Sequence, residues 1–187
     1  MLEAQAEYKS EYFDGEIYPM VDVPPGGIIG KDGIFEVAMA GASYRHVQIV
    51  SNTLIALSSQ LKGKNCRPLA NDLRTKASSS YTYPDIVVIC GEPVFADKYN
   101  SVANPTVLIE VLSNSTEATD RTIKFEKYKQ IESLREYLLI AQNENRFELF
   151  RRSEAGWLSE TSTEKISLTS IGCELVEADV YEGVKFG

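Results

Sequence analysis

The chain has 187 residues, 43% of them hydrophobic and 25% charged, with a formal net charge of −8 and a pI near 4.8. This size suits one domain spanning residues 1–187 with a substantial core, and this composition excludes a disordered or fibrous chain. No apolar run reaches the roughly 20 residues of a membrane span, and the charged start MLEAQAEYKSEYFDG lacks the apolar segment of a secretory signal, so a cytoplasmic protein without a membrane partner is expected. The acidic balance disfavours a generally basic nucleic-acid binder, although a local basic patch or a bound divalent cation can supply the positive charge that phosphates need.

In chain order, residues 2–13 read as a helix carrying several acids, and DGEIYPM turns at Asp14-Gly15 into a short strand. VDVPPGGIIGKDG reads as a Gly/Pro-rich hairpin connection, followed by the strand IFEVAMAGA. From Tyr44 to Leu61, Val47, Val50, Leu54, Leu57 and Leu61 recur at intervals of three and four, the apolar face of a helix. Ser43 fits its N-cap and Gly63 its stop. CRPLANDLRTKA and YPDIVVIC read as strands, GEPVFADKYNSVANP as a loop, and TVLIEVL as a buried strand. SNSTEAT then leads into a helix over residues 120–131. EYLLIAQ and NRFELFRR form a hairpin across residues 143–145, with weaker strands at 157–161, 166–168 and 175–176. Central strands with few helices indicate an α/β or α+β fold.

Several chemistries are excluded. Cys66, Cys90 and Cys173 are odd in number and widely spaced, which argues against a disulfide framework or a zinc ribbon, and Cys90 reads as a small core residue at the end of DIVVIC. A single histidine, His46, excludes HExxH sites, and there is no GxSxG elbow. GGIIGKD is one residue short of a phosphate loop and has Asp32 where Ser or Thr is required, so it reads as a loop tip.

The chemistry concentrates on two acids in apolar strands. Glu110 interrupts TVLIEVL, sharing a face with Leu108 and Leu112. An ionised carboxylate is rarely buried without a partner. Asp85 opens DIVVIC directly after Pro84. If the two strands are neighbours, the carboxylates converge and repel unless a cation lies between them. Mg²⁺, which takes one or two carboxylates plus waters, is one answer; an ion pair with Lys or Arg is the other. Downstream, Asp120, Lys124 and Tyr128 follow at i, i+4 and i+8, with Arg121 three residues before Lys124.

YTYPDIVVICGEPVF, NPTVLIEVLSNSTEATDRTIKFEKY and SLREYLLIAQ, together with AEYKSEYFDGEIYPM, AGASYRHVQIVSNTLIALSSQL, NDLR, ADVYE and GVKFG, resemble the Uma-two family of restriction-endonuclease-like proteins over nearly the whole chain. The resemblance implies a PD-(D/E)xK nuclease fold: a mixed central sheet flanked by helices, with additional antiparallel hairpins. It also implies metal-dependent hydrolysis of phosphodiester bonds. Asp85 matches the first motif acid and Glu110 the second, both metal-binding. The lysine expected two residues after Glu110 is replaced by Leu112, and the resemblance transfers that role to Lys124. Glu11 matches an acid that completes the metal shell. His46, Asp72, Asp120 and Arg121 are accessory candidates: His46 matches a recurrent family histidine and is either a proton donor at a phosphate-holding helix N-terminus or a polar cap residue, and Asp72 is a supporting acid.

The expectation is therefore a Mg²⁺- or Mn²⁺-dependent endodeoxyribonuclease, a hydrolase with DNA as substrate. The alternative is a non-catalytic nucleic-acid or protein-interaction module on the same scaffold. A homodimer is also expected, because cutting both strands commonly needs two sites, and the hairpin EYLLIAQNENRFELF offers an apolar interface.

Overall fold

A computed structural model describes residues 10–13, 16–19, 42–71, 73–113 and 116–186. Twelve strands and four α-helices are found among them: β1 (Ser10–Phe13), β2 (Glu16–Pro19), α1 (Tyr44–Leu61), β3 (Cys66–Ala70), β4 (Thr75–Ala77), β5 (Ser80–Thr82), β6 (Ile86–Cys90), β7 (Val107–Leu112), α2 (Glu117–Thr119), α3 (Phe125–Tyr128), β8 (Glu136–Ala141), β9 (Phe147–Ser153), β10 (Gly156–Ser162), β11 (Lys165–Leu168), β12 (Cys173–Val176) and α4 (Glu177–Val180). A π-helical turn, Asp120–Lys124, joins α2 to α3.

The central sheet runs β10-β9-β8-β7-β6-β3. Its two middle strands, β7 and β8, are parallel, and every other pairing in it is antiparallel. Parallel neighbours need a crossover, supplied here by α2, the π turn and α3. Every residue of β7 and β8 is buried, because both faces of the sheet are covered and each strand becomes a continuous apolar run. Val107, Ile109 and Val111 pack with Ile49, Leu57 and Leu61 of α1 and with the β11–β12 hairpin. Leu108 and Leu112 pack on the opposite side with Phe125 and Tyr128 of the crossover and with Tyr137 and Leu139 of β8. Glu110 belongs to this second face by strand alternation.

Several sequence expectations are corrected. Residues 10–13 form a strand of the hairpin β1–β2 rather than the end of a helix. Tyr12 and Phe13 are good strand formers, and Asp14-Gly15 between the strands is a hairpin-turn dipeptide. Residues 2–9, the connection at 21–33 and most of the expected strand after it lie outside the described residues. CRPLANDLRTKA divides into β3 and β4, and β4 leaves the main sheet to pair with β5 in a second sheet, β2-β1-β5-β4. Helix α1 has the expected bounds, the Ser43 side chain accepts from His46 N–H at 3.1 Å, and Gly63 follows at φ +78°. Val47, however, is 51% exposed while Ile49 is buried, because the first turn of α1 sits at the end of the sheet. The second helical segment ends at Tyr128 rather than at Ile131.

The β8–β9 hairpin cannot be the dimer interface expected of it. β8 is bounded by β7 and β9, and β9 by β8 and β10, so its apolar residues are already spent inside the sheet. The exposed edge on that side is β10. Cys66 and Cys90 also depart from expectation: they fall opposite one another in the β3–β6 register and form a disulfide, while Cys173 is a buried free thiol. Linear spacing concealed this, because only strand pairing makes two cysteines 24 residues apart neighbours. Such a bridge runs against a reducing compartment. Titrating thiols in the unfolded, unreduced protein should find one per chain, rising to three after reduction.

Glu136, fully buried at the start of β8, ties the β11–β12 hairpin to the sheet. Its carboxylate accepts from Arg151 Nε at 2.8 Å, Thr169 N–H at 3.0 Å, Ser170 N–H at 3.1 Å and the Thr169 and Ser170 hydroxyls. Five donors replace the water lost on burial. Removing the carboxylate strands those donors, so Glu136→Ala should lower unfolding free energy in urea titrations by about 3 kcal/mol.

Candidate active site

β6 and β7 pair Ile86 with Ile109. One step further along the antiparallel register, Asp85 faces Glu110. The two acids touch through the backbone: Asp85 N–H donates to Glu110 Oε2 at 3.4 Å, and Val111 N–H donates to Asp85 Oδ2 at 2.7 Å. A carboxylate that accepts a strand N–H is fixed in direction, so Asp85 is aimed by the edge of β7.

Glu110 is only 3% exposed. Its Oε1 accepts from Lys124 Nζ at 3.2 Å and from the Tyr128 hydroxyl at 3.0 Å. Lys124, 3% exposed, lies 2.9 Å from Asp120 Oδ1, and Asp120 is 1% exposed. The Lys124–Asp120 contact is an ion pair by distance without the alignment of a hydrogen bond. The ammonium thus sits between two buried carboxylates. This pairing answers the cost of a charge in strand β7: Glu110 meets a cation from the crossover helix.

The π turn aligns these groups. On a regular α-helix, a spacing of four residues overshoots alignment by about 40°, and two such spacings by about 80°. Between Asp120 and Lys124 the wider π turn takes more residues per turn and swings the second position back. Asp120, Lys124 and Tyr128 therefore all reach the same buried cluster. The Tyr137 hydroxyl donates to the Asp120 carbonyl at 3.1 Å. Burial, with the charges of Glu110 and Asp120 added to it, holds that phenol well above its ordinary pKa and keeps it a donor.

At the more open rim, His46 Nε2 lies 3.0 Å from Asp85 Oδ1. Side-chain exposures of 16% for His46 and 23% for Asp85 contrast with the buried floor formed by Glu110, Lys124 and Asp120. α1 delivers His46 from its first turn, which is anchored beside the end of β8: Ser43 Oγ donates to Gln142 at 3.2 Å and Arg45 to Asn143 at 3.0 Å. The site is consequently at the C-terminal ends of the parallel strands β7 and β8, where open α/β sheets carry their ligands.

The model of the Uma2 family, described as "Putative restriction endonuclease", matches residues 31–177. The chain belongs to the Uma2 family. Two Synechocystis proteins are similar to it: "Uncharacterized protein slr1290", 30% identical with 98% of this chain and 89% of the relative covered, and "Uncharacterized protein sll1609", 34% identical with 83% and 80% covered. The fold resembles the crystal structure of "a putative nuclease belonging to DUF820" from Anabaena variabilis, with a TM-score of 0.69 and 20% identity, covering 97% of this chain and 94% of that one. The Uma2 chain thus has the restriction-endonuclease-like fold, a mixed central sheet with added antiparallel hairpins.

Of the sequence-nominated residues, Asp85, Glu110, Lys124, Asp120 and His46 are brought together. Arg121 is not: it is held by Glu117 at 2.8 Å and by Glu148 of β9. The Glu11 backbone lies on β1, next to the Tyr12–Tyr81 pairing, and its side chain is outside the described residues, as is all of Asp72. Tyr128, and Thr82 whose Oγ1 lies 3.0 Å from the Tyr128 hydroxyl, carry no nomination from the sequence. Tyr128 was visible only as a third member of the Asp120–Lys124 spacing, and a threonine three residues before Asp85 carries no signal by itself.

The His46 environment has a measurable consequence. Burial pulls its pKa down, but the hydrogen bond and charge of Asp85, with Asp120 behind them, outweigh burial and raise it. Below the ordinary value of about 6.5 the ring is protonated folded or unfolded, and the ion pair contributes in full. That contribution fades as pH rises through the higher folded pKa. An NMR titration of metal-free protein should place the His46 midpoint above the ordinary value, and Asp85→Asn should bring it down.

Proposed function

We propose that this Uma2 protein is a Mg²⁺- or Mn²⁺-dependent endodeoxyribonuclease, hydrolysing DNA phosphodiester bonds. The observation that carries the reading is the Asp85–Glu110 juxtaposition with Lys124 Nζ 3.2 Å from Glu110. Asp85, Glu110 and Asp120 formally contribute three negative charges against one from Lys124, and a divalent cation cancels the two left over when His46 is neutral. Mg²⁺ suits such a carboxylate pair, since it takes one or two carboxylates and keeps several waters.

Asp85 and Glu110 would hold the cation, with Glu11 as the acid from β1. When bound, it supplies Lewis-acid polarisation of the phosphate and a lowered pKa for water. The chain's own groups do the rest. Lys124 orients the attacking water and stabilises charge developing on the phosphate oxygens. Asp120, 2.9 Å from the ammonium, shares it with Glu110. His46, at the rim and at a helix N-terminus, faces where a phosphate would lie and can give up a proton.

Cleavage of plasmid and duplex DNA with Mg²⁺, with Mn²⁺ and with EDTA tests this. Wild type should cut only with metal. Lys124→Ala, verified as folded by circular dichroism, should retain metal binding and lose roughly two to four decades of rate; Glu110→Ala should lose both. A homodimer would supply two sites for a double-strand cut, and a monomer by sedimentation at tens of micromolar, a range that detects weak interfaces, would count against it. The second reading, a non-catalytic module on this scaffold, is favoured by the burial of Glu110, Lys124 and Asp120 in mutual ion pairs. DNA retention without scission under every metal condition would select it.

A further inference from the structure

Tyr128 is fully buried, and its hydroxyl lies 3.0 Å from Glu110 Oε1 and 3.0 Å from Thr82 Oγ1. A phenol has one proton, and an ionised carboxylate can only accept. Tyr128 therefore gives its proton to Glu110, and Thr82 Oγ1 sits against the same phenol oxygen. This chain of contacts runs from β5, three residues before Asp85, through the crossover helix to the second acid of β7. It links the small sheet, which also carries Glu11 on β1, to the orientation of the Glu110 carboxylate.

Two donors, Lys124 and Tyr128, converge on Oε1, while Oε2 is the oxygen turned toward Asp85. Lys124 alone would not set this direction: an ammonium on a flexible four-carbon stem acts as a point charge, and Asp120 draws it as well. A phenol locked among Phe125, Tyr137 and Leu108 has no such freedom. Oriented this way, Glu110 turns Oε2 to the backbone N–H of Asp85, the acid whose Oδ1 meets His46 at the partly open rim.

We propose that Tyr128 is a positioning residue of the metal site, fixing Oε1 of Glu110 through the Thr82–Tyr128–Glu110 hydroxyl chain so that Oε2 is directed to the cation shared with Asp85. The proposal rests on the metal-dependent reading above. It also explains why a buried helix position that could hold phenylalanine carries a hydroxyl.

The test is Mn²⁺ binding followed by calorimetry and by electron paramagnetic resonance, on the full chain without DNA. Tyr128→Phe keeps the ring and removes one hydroxyl. It should weaken Mn²⁺ binding about five- to tenfold, in line with the loss of a group that orients a metal ligand. The spectrum of bound Mn²⁺ should change as well. Tyr181→Phe is the control for losing a buried phenol hydrogen bond, because the Tyr181 hydroxyl lies 2.9 Å from the Ala141 carbonyl and 3.1 Å from that of Arg146, in the other core cluster. It should cost comparable thermal stability and leave Mn²⁺ affinity unchanged. Should Tyr128→Phe fold poorly, Thr82→Val keeps the phenol and removes the hydroxyl that aligns it; a weakening of about two- to threefold is expected. Unchanged Mn²⁺ affinity in Tyr128→Phe, or in Thr82→Val if that variant replaces it, overturns the positioning role and leaves the metal reading standing. A wild-type chain that binds no Mn²⁺ overturns both.

Discussion

Lys124 between Glu110 and Asp120 is the contact on which the rest of the site depends. Removing a carboxylate from water costs several kcal/mol, and the cost is recovered only by a close, well-placed cation with further hydrogen bonds. Glu110 lies in a strand whose other five residues are apolar and buried. The crossover must therefore bring a cation over β7, and its length, its π turn and its packing through Phe125 and Tyr128 all serve that placement. A buried ion pair is weak evidence for stability, since well-packed apolar residues commonly do as well. Its presence in the middle of an otherwise apolar face points to chemistry.

The scaffold divides its labour between the two faces of the sheet. The α1 face is closed by helix, hairpin and Glu136-anchored loop, a conventional core with its polar atoms taken up by local donors. On the other face the same strands meet a helix bearing ammonium, carboxylate and phenol. β7 takes part in both, since alternation sends Ile109 and Val111 into one and Glu110 into the other. The acid set is consequently rigid: its backbone donors, Asp85 N–H and Val111 N–H, belong to the sheet. Sites held by strands and helices keep tighter geometry than sites on loops.

Depth also varies across the set. Asp85 and His46 keep contact with solvent, whereas Glu110, Lys124 and Asp120 do not. On the proposed nuclease reading, the open side for a phosphate is the His46 rim, over the first turn of α1. The lysine is delivered from a helix instead of from position 112 of the strand, and this arrangement places the cation beneath the acids and leaves the rim to histidine.

The sequence by itself determined the elements whose signals are local. Helix α1, with Ser43 before it and Gly63 after it, and the apolar runs of β6, β7 and β8 were legible because periodicity and caps act over a few residues. An acid inside TVLIEVL and another after Pro84 were conspicuous for the same reason: each contradicts its immediate surroundings. The order and spacing of these motifs pointed to the Uma2 family. Only the tertiary structure decided what depends on pairing between distant segments. The register of β6 on β7 puts Asp85 opposite Glu110, and that of β3 on β6 joins Cys66 to Cys90. The family resemblance nominates Lys124, but its pairing with Glu110 while Arg121 turns to Glu148 depends on the crossover and its π turn, which no propensity announces. Residues 10–13 read as helix because their acids and spacing fit one, and they became a strand because β2 and β5 offered backbone partners. The hairpin 136–153 looked like a surface because its sequence is apolar, and it was interior because β7 and β10 flank it. Hydrophobicity tells that a strand is buried; only the neighbours that bury it tell where.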